Sequence, residues 1–253
     1  MLNHKTLHEA AVDFGADLLG IAPIERFAGI EPEHHPSSIF PQAKTVIVVG
    51  KRVLRGAVRP LEEKSAVSPY LDFGLSMLED QFLPKTAYDL VLFIEKFHFD
   101  GVPIFGYDVE AASKVYMADP VTPEKPAPNV YIDVPHAAEL AGLGKVGKHG
   151  LLITPQFGTL QRLSLILTDA EIEGDPIITE NYCDGCDACT RACAYDLNRK
   201  RCSLCKDGAF PTNFGHFNTI DRLGAACSLV CLESMEKRNL LQKKFARNFR
   251  TEN

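Results

Sequence analysis

Eight cysteines carry the most specific chemistry this sequence can do, and all of them fall between residues 183 and 231. The run opens as Cys183-x2-Cys186-x2-Cys189-x3-Cys193, continues with Cys202-x2-Cys205 and closes with Cys227-x3-Cys231. Three thiolates two residues apart can wrap one cubane, because each short turn re-aims the next sulfur at the same cluster. The fourth cysteine of such a run lies too far along to close that cubane and ligates a second cluster instead. The spacing therefore assigns Cys183, Cys186, Cys189 and Cys231 to one 4Fe–4S cluster. Cys193, Cys202, Cys205 and Cys227 go to the other, and no cysteine is left over.

Three other readings compete with this one. Zinc uses paired C-x2-C knuckles, but four cysteines in one eleven-residue run favour a cubane. A disulfide framework suits small secreted chains, whereas this chain has 253 residues and no signal-peptide pattern. A single cluster with four structural thiols is the third reading, since the second half of the run is irregular. The proline that usually follows the fourth cysteine is absent, with Ala194 after Cys193 and Leu232 after Cys231.

The elements that must position this run lie upstream. Residues 4–19 read as an amphipathic helix with Leu7, Ala11, Phe14 and Leu18 on one face. Gly20 to Pro23 reads as a short strand. Lys44 to Gly50 carries a continuous apolar β-branched run, the mark of a strand buried on both faces, and Leu163 to Asp169 reads as a second buried strand. Residues 69–97 read as helical, with Pro84 dividing the stretch or opening its second part. Pro103 to Gly106 and Val130 to Val134 read as strands, and His136 to Ala141 as a short helix. His34 and His35, in a proline-rich loop, read as solvated side chains. DPVTPEKPAPN, residues 119–129, reads as a surface loop of the kind that covers sites.

Gly142-Leu143-Gly144-Lys145-Val146-Gly147 matches the dinucleotide fingerprint G-x-G-x-x-G. The fingerprint needs a strand before it and a helix after it, and here the order is reversed. The glycines instead serve a tight helix-to-strand turn, or let the backbone approach something flat and broad. Composition bounds the rest. The formal charge of −6 argues against a general nucleic-acid binder, and no apolar run reaches membrane-spanning length. A cytoplasmic location, where thiols stay reduced, is expected.

GLGKVGKHGLLITPQFGTLQRLSLILTD, residues 142–169, resembles the region before the cluster module in the cobalamin-dependent reductase superfamily, which includes epoxyqueuosine reductases and reductive dehalogenases. ADLLGIAPIERF (16–27) and PQAKTVIVVG (41–50) are similar to the corresponding parts of epoxyqueuosine reductases. The resemblance implies an α+β fold: a nitroreductase-like α/β domain that binds cobalamin, over residues 1–175, then a bacterial-ferredoxin-like domain with two 4Fe–4S clusters, over 176–235. A basic C-terminal tail, 236–253, follows as a docking element for a protein partner or as a helix packed on its own domain. The clusters would feed electrons to the cobalt, and a proton donor would complete reduction of a substrate. Cobalamin, or a flavin as the alternative cofactor, would carry the chemistry.

The resemblance also names residues. Gly142, Gly144 and Gly147 would admit a corrin, and Lys148 and Arg162 would contact its side groups or the substrate, unless they are surface charges. Asp133 matches the position of the catalytic aspartate of epoxyqueuosine reductases, against the reading of a helix cap. The dehalogenase tyrosine would be Tyr107, Tyr116 or Tyr131. The C-terminal repeat region that helps epoxyqueuosine reductases grip tRNA is missing, and so is the twin-arginine signal of the dehalogenases. Neither a tRNA substrate nor membrane respiration is therefore expected. The expected function is an iron–sulfur oxidoreductase served by a ferredoxin- or flavodoxin-type donor. The alternative is an electron-transfer protein that reduces a partner's corrinoid or cluster.

Overall fold

Two apolar runs build the centre of the molecule. The structure, a computed structural model, describes residues 1–105, 130–212 and 219–242. In chain order its main elements are α1 (His4–Asp13), β1 (Leu18–Pro23), β2 (Thr45–Arg52), α2 (Arg55–Glu62), α3 (Leu83–Glu95), β3 (Gly101–Phe105), α4 (Val134–Leu140), β4 (Lys145–Val146), β5 (Leu152–Ile153), β6 (Gln161–Thr168), α5 (Ala188–Ala192), β7 (Phe210–Thr212), β8 (Thr219–Asp221) and α6 (Ala226–Lys237). The main sheet has the order β1-β2-β6-β3. Every pairing in it is antiparallel, with Ile47 opposite Ile166 at its centre.

The sheet is buried on both faces, as the continuous apolar run in β2 predicts. Val46, Val48, Leu165 and Leu167 face α4 and the β5 strand. Ile47, Val49 and Ile166 face α1 and α3. Each such side chain removed from water contributes about 1.5–3 kcal/mol, so the sheet is the rigid plate on which the rest is mounted. A third apolar cluster lies beyond the sheet and joins Val53, Tyr70, Ile153 and Leu160 to Tyr182, Leu229, Leu232 and Met235 of the cysteine segment.

Three expectations change. The first helix ends at Asp13, because Gly15 takes φ +81 and the chain turns; Leu18 opens β1. Val130 to Val134 is not a strand. Asp133 caps α4 and Pro135 fills its first turn, where a missing N–H costs nothing. Residues 68–82 are helical as expected, but Leu71–Ser76 and Leu78–Phe82 wind as π-helix before α3, with Pro84 in the first turn of α3. The tail beyond residue 242 lies outside the described residues. Among the described residues no helix is long and apolar enough to cross a membrane.

Candidate functional site

The cysteine segment is a series of tight turns closed by one helix. Cys183 N–H donates to the Asn181 side chain (3.0 Å), and the Cys186 N–H returns to the Cys183 carbonyl (3.1 Å). Gly185, at φ +65, makes the turn between them. Cys189 sits on α5 and Cys193 is its C-cap. Cys202 lies in a 3-10 turn, Arg199–Leu204, with Cys205 just past its end. Cys227 and Cys231 lie four residues apart on α6, hence on one face of it.

Electrostatics show which thiols are neighbours. Burial pushes the Cys231 thiol up to about 12, and the nearby sulfurs of Cys189, Cys183, Cys186 and Cys227 push the same way. Burial raises Cys227 to about 11; Arg222 opposes this, while Cys193 and Cys202 add to it. Cys189 is raised by burial and by Cys183 and Cys186, even though Thr190 donates to its sulfur. Cys186 is lowered, chiefly by a hydrogen bond with Ser234 at 3.4 Å. All eight cysteines are free of disulfides. Burial and the neighbouring sulfurs thus disfavour the thiolates of Cys189, Cys227 and Cys231.

The glycine loop braces this segment. Gly142, at φ +77, follows α4 in a Schellman close: its N–H donates to the Glu139 carbonyl (3.1 Å) and the Leu143 N–H to the Ala138 carbonyl (3.0 Å). A Cβ on Gly142 would lie 2.4 Å from the Pro176 carbonyl oxygen, and one on Gly144 2.1 Å from that of Ile153. At Gly147 it would meet Ile153 Cδ1 at 2.7 Å and the His149 ring at 2.9 Å. The chain's own atoms thus fill the faces expected to admit a corrin, and the tight-turn reading accounts for these glycines. Lys148 is exposed, as the surface-charge reading has it, and its ammonium donates to the Cys186 carbonyl at 2.7 Å.

Arg162 is neither a surface charge nor open to a cofactor. It is buried where β6 meets the π-helical stretch and β8. Nη1 donates to Glu79 (2.6 Å) and Asp221 (2.9 Å), Nη2 to the Tyr70 hydroxyl (3.1 Å) and Nε to the Gly74 carbonyl (2.9 Å). The Tyr70 hydroxyl in turn donates to Asp221 at 2.5 Å. Burial works against the charge on Arg162, but Asp221, Tyr70 and Glu79 hold it firmly protonated. Burial and Asp221 hold the Tyr70 phenol well above its ordinary range. Arg55 makes a second tie, pairing with Glu62 (2.7 Å) and with Glu236 on α6 (3.3 Å).

Asp133 takes the cap reading, and it also faces a cavity. Its Oδ1 accepts the His136 N–H at 3.0 Å as the cap of α4, and it lines a cavity of about 310 Å³ with Phe27, Ile30, His34, Ile132, His136 and Arg199. The floor is apolar, and the polar groups are one carboxyl, two imidazoles and one guanidinium. The sequence reading missed three of these. His34 is half-buried and its Nδ1 donates to the Tyr131 carbonyl at 2.9 Å, so it is not a solvated loop residue. His136 lies three positions after Asp133, a helical spacing that could have paired them. Arg199 comes from between the cysteines and lies over Gly150, where a Cβ would be 2.9 Å from its Nε. Tyr131 is buried outside this lining; Tyr107 and Tyr116 lie outside the described residues. A larger cavity of about 510 Å³, near Arg52, Phe73 and Phe157, is lined mainly by apolar groups.

Known proteins match this geometry over most of the chain. The epoxyqueuosine reductase of Streptococcus thermophilus aligns with 97% of the chain at a TM-score of 0.52 and 18% identity. That of Bacillus subtilis, described with its catalytic aspartate loop swung out of the active site, aligns with 90% at 0.57 and 19% identity. A reductive dehalogenase whose structure suggests a mechanism for B12-dependent dehalogenation aligns with 76% at 0.52 and 16% identity. The chain has the fold of these reductases. At the level of sequence, the tetrachloroethene reductive dehalogenase of Desulfitobacterium hafniense is 40% identical over 65 residues, which is 24% of this chain and 12% of that protein. The epoxyqueuosine reductase of Gloeobacter violaceus is 46% identical over 57 residues, 22% of this chain and 17% of that protein. No protein-family model matches. The chain spans 59% and 64% of the two epoxyqueuosine reductase structures and 25% of the dehalogenase.

Proposed function

We propose that this chain is an iron–sulfur oxidoreductase. Cys183, Cys186, Cys189 and Cys231 hold one 4Fe–4S cluster, and Cys193, Cys202, Cys205 and Cys227 hold the other. The observation that carries this is the company of Cys231: its sulfur neighbours are first Cys189, Cys183 and Cys186, from the far end of the run. Each cluster supplies one electron per cycle when bound, so the pair matches a two-electron reduction. The reading places a ferredoxin-like module, residues 176–235, behind a nitroreductase-like domain, residues 1–175, with a ferredoxin- or flavodoxin-type donor.

The acceptor side of this reading is the Asp133 cavity. Asp133 and the imidazoles of His34 and His136 are its proton carriers, and Arg199 supplies a fixed positive charge. Arg199 also links this cavity to the cysteine run, because it starts the 3-10 turn that bears Cys202. A cobalamin is the cofactor that the B12-dependent dehalogenase of the same fold suggests. The residues expected to cradle it do not fit that task, since Gly142, Gly144 and Gly147 are filled by the chain itself, Arg162 is buried in its own network and Lys148 serves the Cys186 turn. The Asp133 cavity, at about 310 Å³, has the size of a small-molecule site.

That mismatch favours one alternative, electron transfer to a corrinoid or cluster on a partner. Anaerobic purification with cobalamin supplied separates the two readings. Stoichiometric cobalamin in the absorption spectrum supports reduction inside this chain. Cluster absorption alone, after reconstitution with cobalamin, supports transfer to a partner. Absence of clusters under both conditions would contradict both.

A further inference from the structure

The geometry points to a binding site for a divalent transition-metal ion of the zinc, cobalt or nickel type at His4, His8 and Asp175, apart from the cysteines and the Asp133 cavity. Helix α1 places His4 and His8 one turn apart on the same face. Their rings lie 4.5 Å apart between centroids. His4 Nε2 donates to Asp175 Oδ1 at 2.9 Å and His8 Nε2 to Asp175 Oδ2 at 3.1 Å. One ligand atom from each of the three residues lies within 4.8 Å of the others.

The carboxylate is held in place before any ion arrives. Asp175 Oδ2 also accepts the Ile21 N–H at 2.9 Å, and the Asp175 N–H donates to the Ile21 carbonyl at 2.9 Å, so strand β1 fixes it in two ways. Burial tends to raise the Asp175 carboxyl, but the hydrogen bonds from His8 and His4 outweigh this and hold it below its ordinary value. The histidines are about a third exposed and Asp175 less so, which leaves an entry path from solvent.

The donor set selects the ion. Two imidazole nitrogens and one carboxylate oxygen suit zinc, cobalt or nickel, whereas calcium and magnesium take mostly oxygen ligands. Ligands about 2.0–2.1 Å from a tetrahedral ion sit roughly 3.3 Å from one another. Each imidazole nitrogen already lies within 3.1 Å of a carboxylate oxygen, so only the widest of the separations, within 4.8 Å, has to close, by up to roughly 1.5 Å. Binding takes the Nε2 lone pairs, so each imidazole carries its proton on Nδ1 and the two hydrogen bonds to Asp175 give way to three metal bonds. Water completes the open site. The ion would clip α1 to the link that leads into the cysteine run, one residue before Pro176, whose carbonyl lies against Gly142.

The test is a Co²⁺ titration of the full chain with its clusters loaded, under anaerobic conditions. The expected result is one Co²⁺ per chain, with visible d–d bands and no thiolate charge-transfer band, and a raised melting temperature. His8→Gln, His4→Gln and Asp175→Asn each weaken binding by at least about 100-fold, and circular dichroism of each variant verifies the fold. The exposed His98, replaced by glutamine, leaves binding unchanged. Failure to bind Co²⁺, a thiolate band at the same stoichiometry, or affinity within threefold of wild type in folded His8→Gln overturns the site.

Discussion

Replacing Arg162 by methionine strikes the buried joint between the sheet and the cysteine segment. The guanidinium is 7% exposed, and its partners Glu79 and Asp221 are 3% and 1% exposed. Methionine keeps most of the stem volume but removes the cation shared by Glu79 and Asp221 and the N–H groups that the Tyr70 hydroxyl and the Gly74 carbonyl accept. Removing one member of a buried, hydrogen-bonded charge pair costs about 3–5 kcal/mol, mainly because the charge left behind is uncompensated. At roughly 2–4 °C per kcal/mol for a chain of this size, the melting temperature should fall by about 6–20 °C. The stranded carboxylates would take up protons in the folded state, so the deficit should be smaller at pH 5 than at pH 8. Adding Glu79→Gln should recover part of the loss, because one stranded charge is then gone. Thermal melts by circular dichroism on anaerobic protein measure all three. A loss below about 1 kcal/mol, or one equal at both pH values, would refute the claim that Arg162 serves structure through this network.

Other outcomes follow from single contacts. Gly144→Ala drives a methyl group to 2.1 Å from the Ile153 carbonyl oxygen, so it should cost about 1–3 kcal/mol or more, read as a lowered denaturation midpoint. Asp133→Asn keeps a side chain that caps α4 equally well, so stability should change by less than about 0.5 kcal/mol while turnover falls at least tenfold; Asp133→Ala should lose about 1 kcal/mol as well. His149 is buried, and burial together with Arg222 lowers its pKa to about 4. The unfolded chain therefore binds a proton that the folded chain refuses, and stability is lost as pH falls from about 6.5 towards 4. Between pH 7 and 5 the wild type should lose about 2 kcal/mol more than His149→Gln, measured by urea titration.

Much of the frame was legible because burial writes itself into composition. Val46 to Val49 and Leu163 to Leu167 are apolar on both alternating faces, and both form central strands. Strand direction was not legible, since an antiparallel strand covered on both faces has the same apolar run as a parallel one. Leu18 fitted the helical spacing of α1, but Gly15 at positive φ ended the helix first. Asp133 fitted a catalytic aspartate and a helix cap equally; the local N–H of His136 shows the cap, and the cavity that Asp133 lines is built from residues no spacing brought together. Arg162 could not be read as a network residue, because Tyr70, Glu79 and Asp221 lie 92, 83 and 59 positions away. The glycine loop gave a familiar pattern for an unfamiliar reason, namely carbonyls packed where side chains would be.

Iron and acid-labile sulfide counted per chain, in anaerobic wild type beside Cys231→Ser, test the central claim most directly. Two cubanes with crossed ligands predict about eight irons in the wild type, falling towards four when Cys231 is lost and the cluster shared with Cys183, Cys186 and Cys189 fails. About four irons in the wild type, or an unchanged eight in the variant, would contradict the account.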